Sequence, residues 1–199
     1  MREKFPHRCT WVNLRNPLYV KYHDEEWGRR PRRDQSLVEL FILETFQAGL
    51  SWECVLNKRE AIKAAFDGFD MARICTYREA DVERLMATEG IIRNRAKLRA
   101  VVTNTRVICG LREEFGSFGK YVESFAGKSP LIEPYTVRTT SPVSDALSKD
   151  MRRRGMKFVG STTIYAFLQA AGFIDAHGPE CDFGRRSGRK GVREGQTVG

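Results

Sequence analysis

From residue 34 onward, apolar positions recur at helical spacing almost throughout, and no run alternates as a strand would. Residues 1–33 read as irregular, broken by Pro6, Asn16-Pro17, Gly28 and Pro31. Ser36 and Glu39 are spaced as a capping box, with Leu37, Leu40, Phe41 and Ala48 forming an apolar stripe behind it. Ser51 is placed to cap a second helix reaching about Phe66, and Gly68 ends it. Thr76-Tyr77-Arg78-Glu79 has the spacing of another capping box, opening a helix to about Met86. A long basic helix is predicted from Arg95 to Glu114, with Leu98, Val101, Val102, Thr105 and Ile108 inward. Region 115–140 carries the weakest pattern, with a short helix at Tyr121–Phe125. Ser141-Pro142 starts a helix that Gly155 ends. Ser161 or Thr162 opens the final one, closed by Gly172. The expected fold class is all-α.

One position breaks the apolar pattern. At about 100° per residue from Leu37, Ala48 falls near ~20°, Phe41 near ~40° and Glu44 near about −20°. A carboxylate thus sits inside a core-facing stripe, where it needs an ion-pair partner, a cationic ligand or a cavity. Trp11, Tyr19, Tyr22, Trp27, Phe46 and Trp52 surround it in sequence, and all three tryptophans lie in the first 52 residues. Aromatic faces stack on bases and attract cations, so this grouping suits a flat, positively charged ligand as well as a packed core.

Charge and composition narrow the partners. The chain has 199 residues, 41% of them hydrophobic, enough for a real core. Lys plus Arg number 34 against 25 Asp plus Glu, a net charge of +9, which points to a polyanion and to nucleic acid first. No apolar run approaches the roughly 20 residues of a membrane span, and the N-terminus has no signal core. A soluble, cytoplasmic protein, associated with the nucleoid through DNA, is expected. The predicted organisation is a single helical domain over 1–181 and a basic, disordered tail over 182–199, which could help hold DNA or simply be solvated.

The five cysteines are Cys9, Cys54, Cys75, Cys109 and Cys181, an odd and scattered set that fits thiols or a metal site better than a disulfide framework. Cys9 and His23 near one end, with His177 and Cys181 near the other, supply the donors of a tetrahedral zinc site. The same residues also read as unrelated polar-core positions, or as a Cys9-His23 nucleophile pair. Between the last two helices, Gly155-Met156-Lys157-Phe158-Val159-Gly160-Ser161-Thr162-Thr163 has the organisation of a helix-hairpin-helix. A glycine hairpin entering a helix N-terminus offers backbone N–H groups to a phosphate, at Gly160, Ser161 and Thr162, and Lys157 adds charge.

Cys9-Thr10-Trp11, Pro17-Leu18-Tyr19, the run from Tyr22 to Gly28, the run from Glu44 to Trp52, and Phe158-Val159-Gly160-Ser161-Thr162 closely resemble the type I 3-methyladenine DNA glycosylases. So do Gly90-Ile91-Ile92-Arg93 and Ser144-Asp145-Ala146-Leu147-Ser148. The resemblance runs from about Cys9 to Cys181. It implies an all-helical member of the helix-hairpin-helix glycosylase superfamily that excises 3-methyladenine from alkylated double-stranded DNA. It implies one structural zinc on Cys9, His23, His177 and Cys181. It assigns Glu44, Tyr22 and Trp52 to the base pocket, with Glu44 as the catalytic residue and Trp11 and Tyr19 as neighbouring aromatics. Asp175 is a departure: it falls near a position that the type I enzymes typically fill with Asn and the wider superfamily with a catalytic Asp. Asp175 therefore either assists hydrolysis or orients His177.

The expected activity is that of a monofunctional glycosylase, since no lysine is placed for a Schiff base. A monomer with no obligate protein partner is expected. The rivals are a zinc-stabilised DNA-binding protein without catalysis and a Cys9-His23 hydrolase.

Overall fold

A computed structural model describes residues 6–133 and 138–184. In chain order the elements are α1 (Pro17–Glu25), α2 (Asp34–Gln47), α3 (Trp52–Asn57), α4 (Arg59–Ala65), a 3₁₀ turn (Asp67–Phe69), α5 (Met71–Thr76), α6 (Glu79–Ala87), α7 (Arg95–Phe115), α8 (Phe118–Ala126), β1 (Leu131–Ile132), α9 (Pro142–Arg153), α10 (Ser161–Ala170) and β2 (Ile174–Asp175). The protein is mostly helical, as the apolar spacing predicts. The two strands, each two residues long, pair in parallel with Leu131 opposite Ile174 and Ile132 opposite Asp175.

Helix α2 is the axis of the core. Val38, Phe41, Ile42 and Leu43 are fully buried, so this helix is covered on every side rather than along one stripe. Phe41 packs edge-on against Phe118 of α8 and Phe167 of α10, with ring centroids 5.3 and 5.4 Å away. The long α7 follows its predicted course: Leu98, Val101, Val102, Thr105 and Ile108 are all buried.

Several predicted boundaries move, each for a local reason. Asn16-Pro17, read as a breaker, starts α1: the Asn16 side chain accepts from the Leu18 N–H, and proline occupies the tolerated first turn. The Ser36–Glu39 box does not form, because α2 already begins at Asp34. Glu39 instead meets Arg59 at 2.9 Å and Lys63 at 3.5 Å. Asp34 caps the neighbouring helix, accepting from the N–H groups of Phe118 and Gly119. The second helix breaks at Lys58 into α3 and α4. Thr76 ends α5 rather than opening α6, and Asp81 caps α6 by accepting from the Arg78 N–H. Helix α10 opens at Ser161, one of the two expected positions, with Gly160 as its N-cap.

The chain ends are drawn together by close backbone approach. Gly172 has φ +67° and lies so near Gly28 that a Cβ would stand 2.6 Å from the Gly28 carbonyl oxygen. A Cβ on Gly28 would stand 2.6 Å from Cε1 of His177. His7 and Asp182 then clasp: the Asp182 N–H donates to the His7 carbonyl and the His7 N–H to the Asp182 carboxylate. Residues 182–184, assigned to the tail by sequence, pack here; residues 185–199 lie outside the described residues.

Candidate functional site

Five elements converge on one cavity of about 210 Å³. The N-terminal segment contributes Trp11, α1 contributes Tyr19 and Tyr22 three residues apart on one face, and Trp27 follows α1. Helix α2 contributes Glu44 and Gln47, α3 contributes Trp52, and α10 closes the wall with Ala166 and Gln169. Ser51 accepts from the Cys54 N–H, which sets the first turn of α3 and so aims Trp52. Tyr22 and Trp52 stand 4.9 Å apart, tilted 44°. Trp11 lies 5.5 Å from Tyr19 and 4.8 Å from Trp27.

The carboxylate expected on the apolar face of α2 lies in this cavity. Glu44 is 3% exposed, and its Oε2 has no hydrogen-bond partner among the described residues. Burial raises its pKa to about 8, which favours the protonated acid at neutral pH. The Trp52 Nε1–H is likewise buried without a partner. An acceptor and a donor left open among aromatic faces form a site for a flat polar ligand. A ring system that carries a positive charge would draw Glu44 into its ionised form.

Sequence reasoning brings Trp11, Tyr19, Tyr22, Trp27, Glu44 and Trp52 to this site. Phe46 belongs to the core beside Phe66 instead. Gln47, Ala166 and Gln169 were missed: Gln47 sits one turn beyond Glu44, a signal available in the sequence, but the two α10 residues arrive only through packing of α10 on α2.

Lys97, on α7, was missed as well. It is buried, and its Nζ donates to the carbonyl oxygens of Phe46 and Ala48 at 2.7 and 2.6 Å. This places an ammonium on the C-terminal end of α2, where the helix dipole favours it, and holds the loop between Glu44 and Trp52. Lys97→Met is expected to lower the unfolding free energy by about 2 kcal/mol and to change the tryptophan emission of the folded state. Denaturant titration followed by fluorescence checks this; an unchanged midpoint would mean that the loop holds itself.

Behind the tryptophan wall lies a second cluster. The ligand atoms of Cys9, His23 and Cys181, all buried, fall within 4.8 Å of one another. His177 is outside that radius, its ring centroid 5.7 Å from that of His23. Each imidazole has Nδ1 on a carboxylate, His23 on Asp24 and His177 on Asp175, both at 2.8 Å. That leaves Nε2 facing the cluster in each ring: that of His23 meets the Cys9 N–H and the Cys181 sulfur, each at 3.5 Å, and that of His177 is buried with no partner among the described residues. Burial and the nearby Cys181 raise the Cys9 thiol to about 12. Two thiols and one imidazole lie together, with the His177 ring beside them, and these are the donor types of a soft-metal site. Cys9 is buried, protonated and absent from the cavity lining, so it makes a poor nucleophile.

Asp175 is buried, lies outside the cavity lining and accepts from the His177 backbone N–H as well as contacting its ring. Its geometry is that of a residue orienting His177.

The loop joining α9 to α10 forms a third surface. Asn104 of α7 clamps it, accepting from the Lys157 N–H and donating to the Lys157 carbonyl. Ser148 donates to the Val159 carbonyl at 2.6 Å. Lys157 and Thr162 are exposed, and no side chain caps the first turn of α10. The Ser161 hydroxyl turns back to Asp145 and Ser144, so only its backbone faces outward chemistry. Phe158 is exposed at the loop tip with φ +55°, a conformation a phenylalanine holds only when its surroundings impose it.

Known proteins resemble this chain in sequence and in fold. The sequence profile described as methyladenine glycosylase matches residues 11–185. The chain is 42% identical over 178 residues to the DNA-3-methyladenine glycosylase 1 of Escherichia coli K12, covering 87% of this chain and 95% of that protein. It is 39% identical to the DNA-3-methyladenine glycosylase of Haemophilus influenzae, over 87% of this chain and 96% of that one. Among solved structures, 3-methyladenine DNA glycosylase I of Staphylococcus aureus, described for its recognition of 3-methyladenine, superposes with a TM-score of 0.84 at 33% identity, covering 89% of this chain and 96% of that one.

Proposed function

The chain belongs to the methyladenine glycosylase family, and from that membership we propose that it excises 3-methyladenine from alkylated double-stranded DNA by hydrolysing the N-glycosyl bond. The observation that carries the reading is the unpartnered Glu44 carboxyl in a cavity walled by Trp11, Tyr19, Tyr22 and Trp52. At about 210 Å³ the cavity is smaller than the roughly 300–1,000 Å³ pockets of drug-sized ligands, so a single extrahelical base suits it.

The chemistry follows from the lesion. N3 methylation leaves the nucleotide cationic, and departure of the base carries that charge onto the sugar, so the base is already a good leaving group. The pocket's task is selection and positioning. Trp52 and Tyr22 stack on the ring, and their π faces favour the cation. Glu44 ionises against it and accepts a hydrogen bond from the base. Neutral adenine supplies no charge to draw Glu44 into its ionised form, so it forfeits the charge pair and is held less well. Water then attacks the sugar carbon as the bond to the base breaks, and its proton passes to bulk solvent. Asp175 stays with His177.

The α9–α10 loop serves as a helix-hairpin-helix grip: the N–H groups of the first turn of α10 and Lys157 meet backbone phosphate without reading sequence. One zinc, held by Cys9, His23, His177 and Cys181, joins the chain ends, a folding role since four protein ligands leave no open position. The enzyme acts as a monomer, without a protein partner. Among the described residues no helix is long and apolar enough to cross a membrane.

Product analysis tests the reading. Incubation with methylated duplex DNA is expected to release free 3-methyladenine. Trp52→Ala should slow release about 10–100-fold, the worth of one base–aromatic stack, with duplex affinity at matched salt unchanged. Absence of any free base would leave a zinc-stabilised DNA-binding protein instead.

A further inference from the structure

A pair of thiols remote from both the cavity and the zinc ligands has no part in this activity. Cys75, on α5, and Cys109, on α7, place their sulfurs 2.8 Å apart. Both residues are half-buried, so a small oxidant reaches them. The two helices pack on each other, and Arg106, one turn before Cys109, fixes the register. Its Nε donates to the Cys75 carbonyl at 3.0 Å and its Nη2 to the Tyr77 carbonyl at 2.6 Å. The sulfurs therefore meet within less than an ångström of bonding distance without any rearrangement of the backbone.

The geometry points to Cys75 and Cys109 as a reversible disulfide site, closed by hydrogen peroxide and reopened by a thiol reductant. Burial and the adjacent Cys109 push the Cys75 thiol up to about 12. One sulfur of the pair, as thiolate, attacks a peroxide oxygen, the O–O bond breaks and hydroxide leaves, giving a sulfenic acid. The other sulfur attacks that sulfenic sulfur, the S–O bond breaks, and the departing hydroxyl takes the second thiol's proton as water. Across the two steps the cysteines lose two electrons and two protons, and both peroxide oxygens end as water. The bond ties α5 to the middle of α7. Neither sulfur lines the cavity, so the cross-link acts on the helical scaffold and leaves the base pocket alone.

The test uses the full reduced chain, zinc-loaded, exposed to about one equivalent of hydrogen peroxide. Thiols counted after denaturation in the presence of a chelator should fall from five to three, and dithiothreitol should restore five. A non-reducing digest should contain one peptide pair joining Cys75 to Cys109, two hydrogens lighter than the sum of its parts. Cys75→Ser and Cys109→Ser should each lose the pair, and dimedone should capture a sulfenic acid on the cysteine left behind in at least one of them. The wild-type digest decides the matter even if either variant folds poorly. Finding Cys75 and Cys109 fully alkylatable after peroxide, or joined only to other cysteines, would overturn the proposal. Excision by the oxidised protein is expected within twofold of the reduced one; a larger change reversed by dithiothreitol would show that the bond reaches the pocket, and would overturn its confinement to the scaffold.

Discussion

Glu44→Gln is expected to stabilise the empty protein at pH 8 while nearly abolishing excision. The sign follows from the raised pKa. A glutamate titrates ordinarily at 4.5, and burial moves Glu44 to about 8. Between those values the unfolded chain has released the proton and the folded one retains it. Unfolding thus sheds a proton, and stability falls as pH rises through the window. The full displacement corresponds to at most about 5 kcal/mol, reduced by whatever water enters the cavity. A glutamine makes no such loss. The variant should match wild type near pH 4 and exceed it by about 2 kcal/mol or more at pH 8, in denaturant titrations at both values. Excision moves the other way. A cationic base must displace the proton from Glu44 before the two charges can pair. Wild-type excision at limiting enzyme should therefore climb up to tenfold per pH unit below about 8 and then level, whereas Glu44→Gln should be flat. Losing one partner of a buried charge pair costs about 2–5 kcal/mol, or roughly 30-fold to a few thousandfold in rate. Equal stabilities at pH 4 and pH 8 would show that Glu44 is solvated, and the charge argument would fall.

Metal removal should have the second large effect. Purified protein is expected to hold one zinc per chain. Metal bound only by the folded state adds about 4 kcal/mol when free zinc is a thousand times its Kd. Stripping it with a chelator, or replacing Cys9 and Cys181 by serine together, should remove that much and loosen the clasp between His7 and Asp182. The tryptophan wall links the two sites: Trp27 packs 4.5 Å from the His177 ring, and Trp11 packs 5.2 Å from that of His23. Loss of zinc should therefore weaken base binding indirectly. Asp175→Asn belongs to the same experiment. It should loosen zinc about 10–100-fold and change the rate of the zinc-loaded enzyme only modestly. A large rate loss with zinc fully retained would return Asp175 to the chemistry. Unchanged metal content in the double serine variant would remove these ligands from the assignment.

Much of the site was legible in sequence because it rests on local cost. A carboxylate at helical spacing among Leu37, Phe41 and Ala48 demands an explanation on the cost of burial alone, and Glu44 supplies it as the open acceptor of the cavity. The amphipathic face of α7 was equally plain, since that helix has one wet side and one dry. Helix α2 was less so: burial on every face erases the contrast that periodicity reads, and its start was placed late, at Ser36 rather than Asp34. Asn16-Pro17 shows the same limit at short range, because one dipeptide both ends a helix and begins one, and only the Leu18 N–H bond chooses.

What tertiary structure alone decided are the contacts between segments far apart in the chain. Gln169 reaches the cavity because α10 packs on α2, and Lys97 finds the end of α2 from 49 residues away at its nearer carbonyl. His23 and His177 come together across Gly28 and Gly172, where the absence of side chains permits backbone to meet backbone. No local propensity encodes such meetings. Residue type at each position was set by the cost of burial and charge, which the sequence carries; which residues share a cavity was set by helix packing, which exists only once the core has formed.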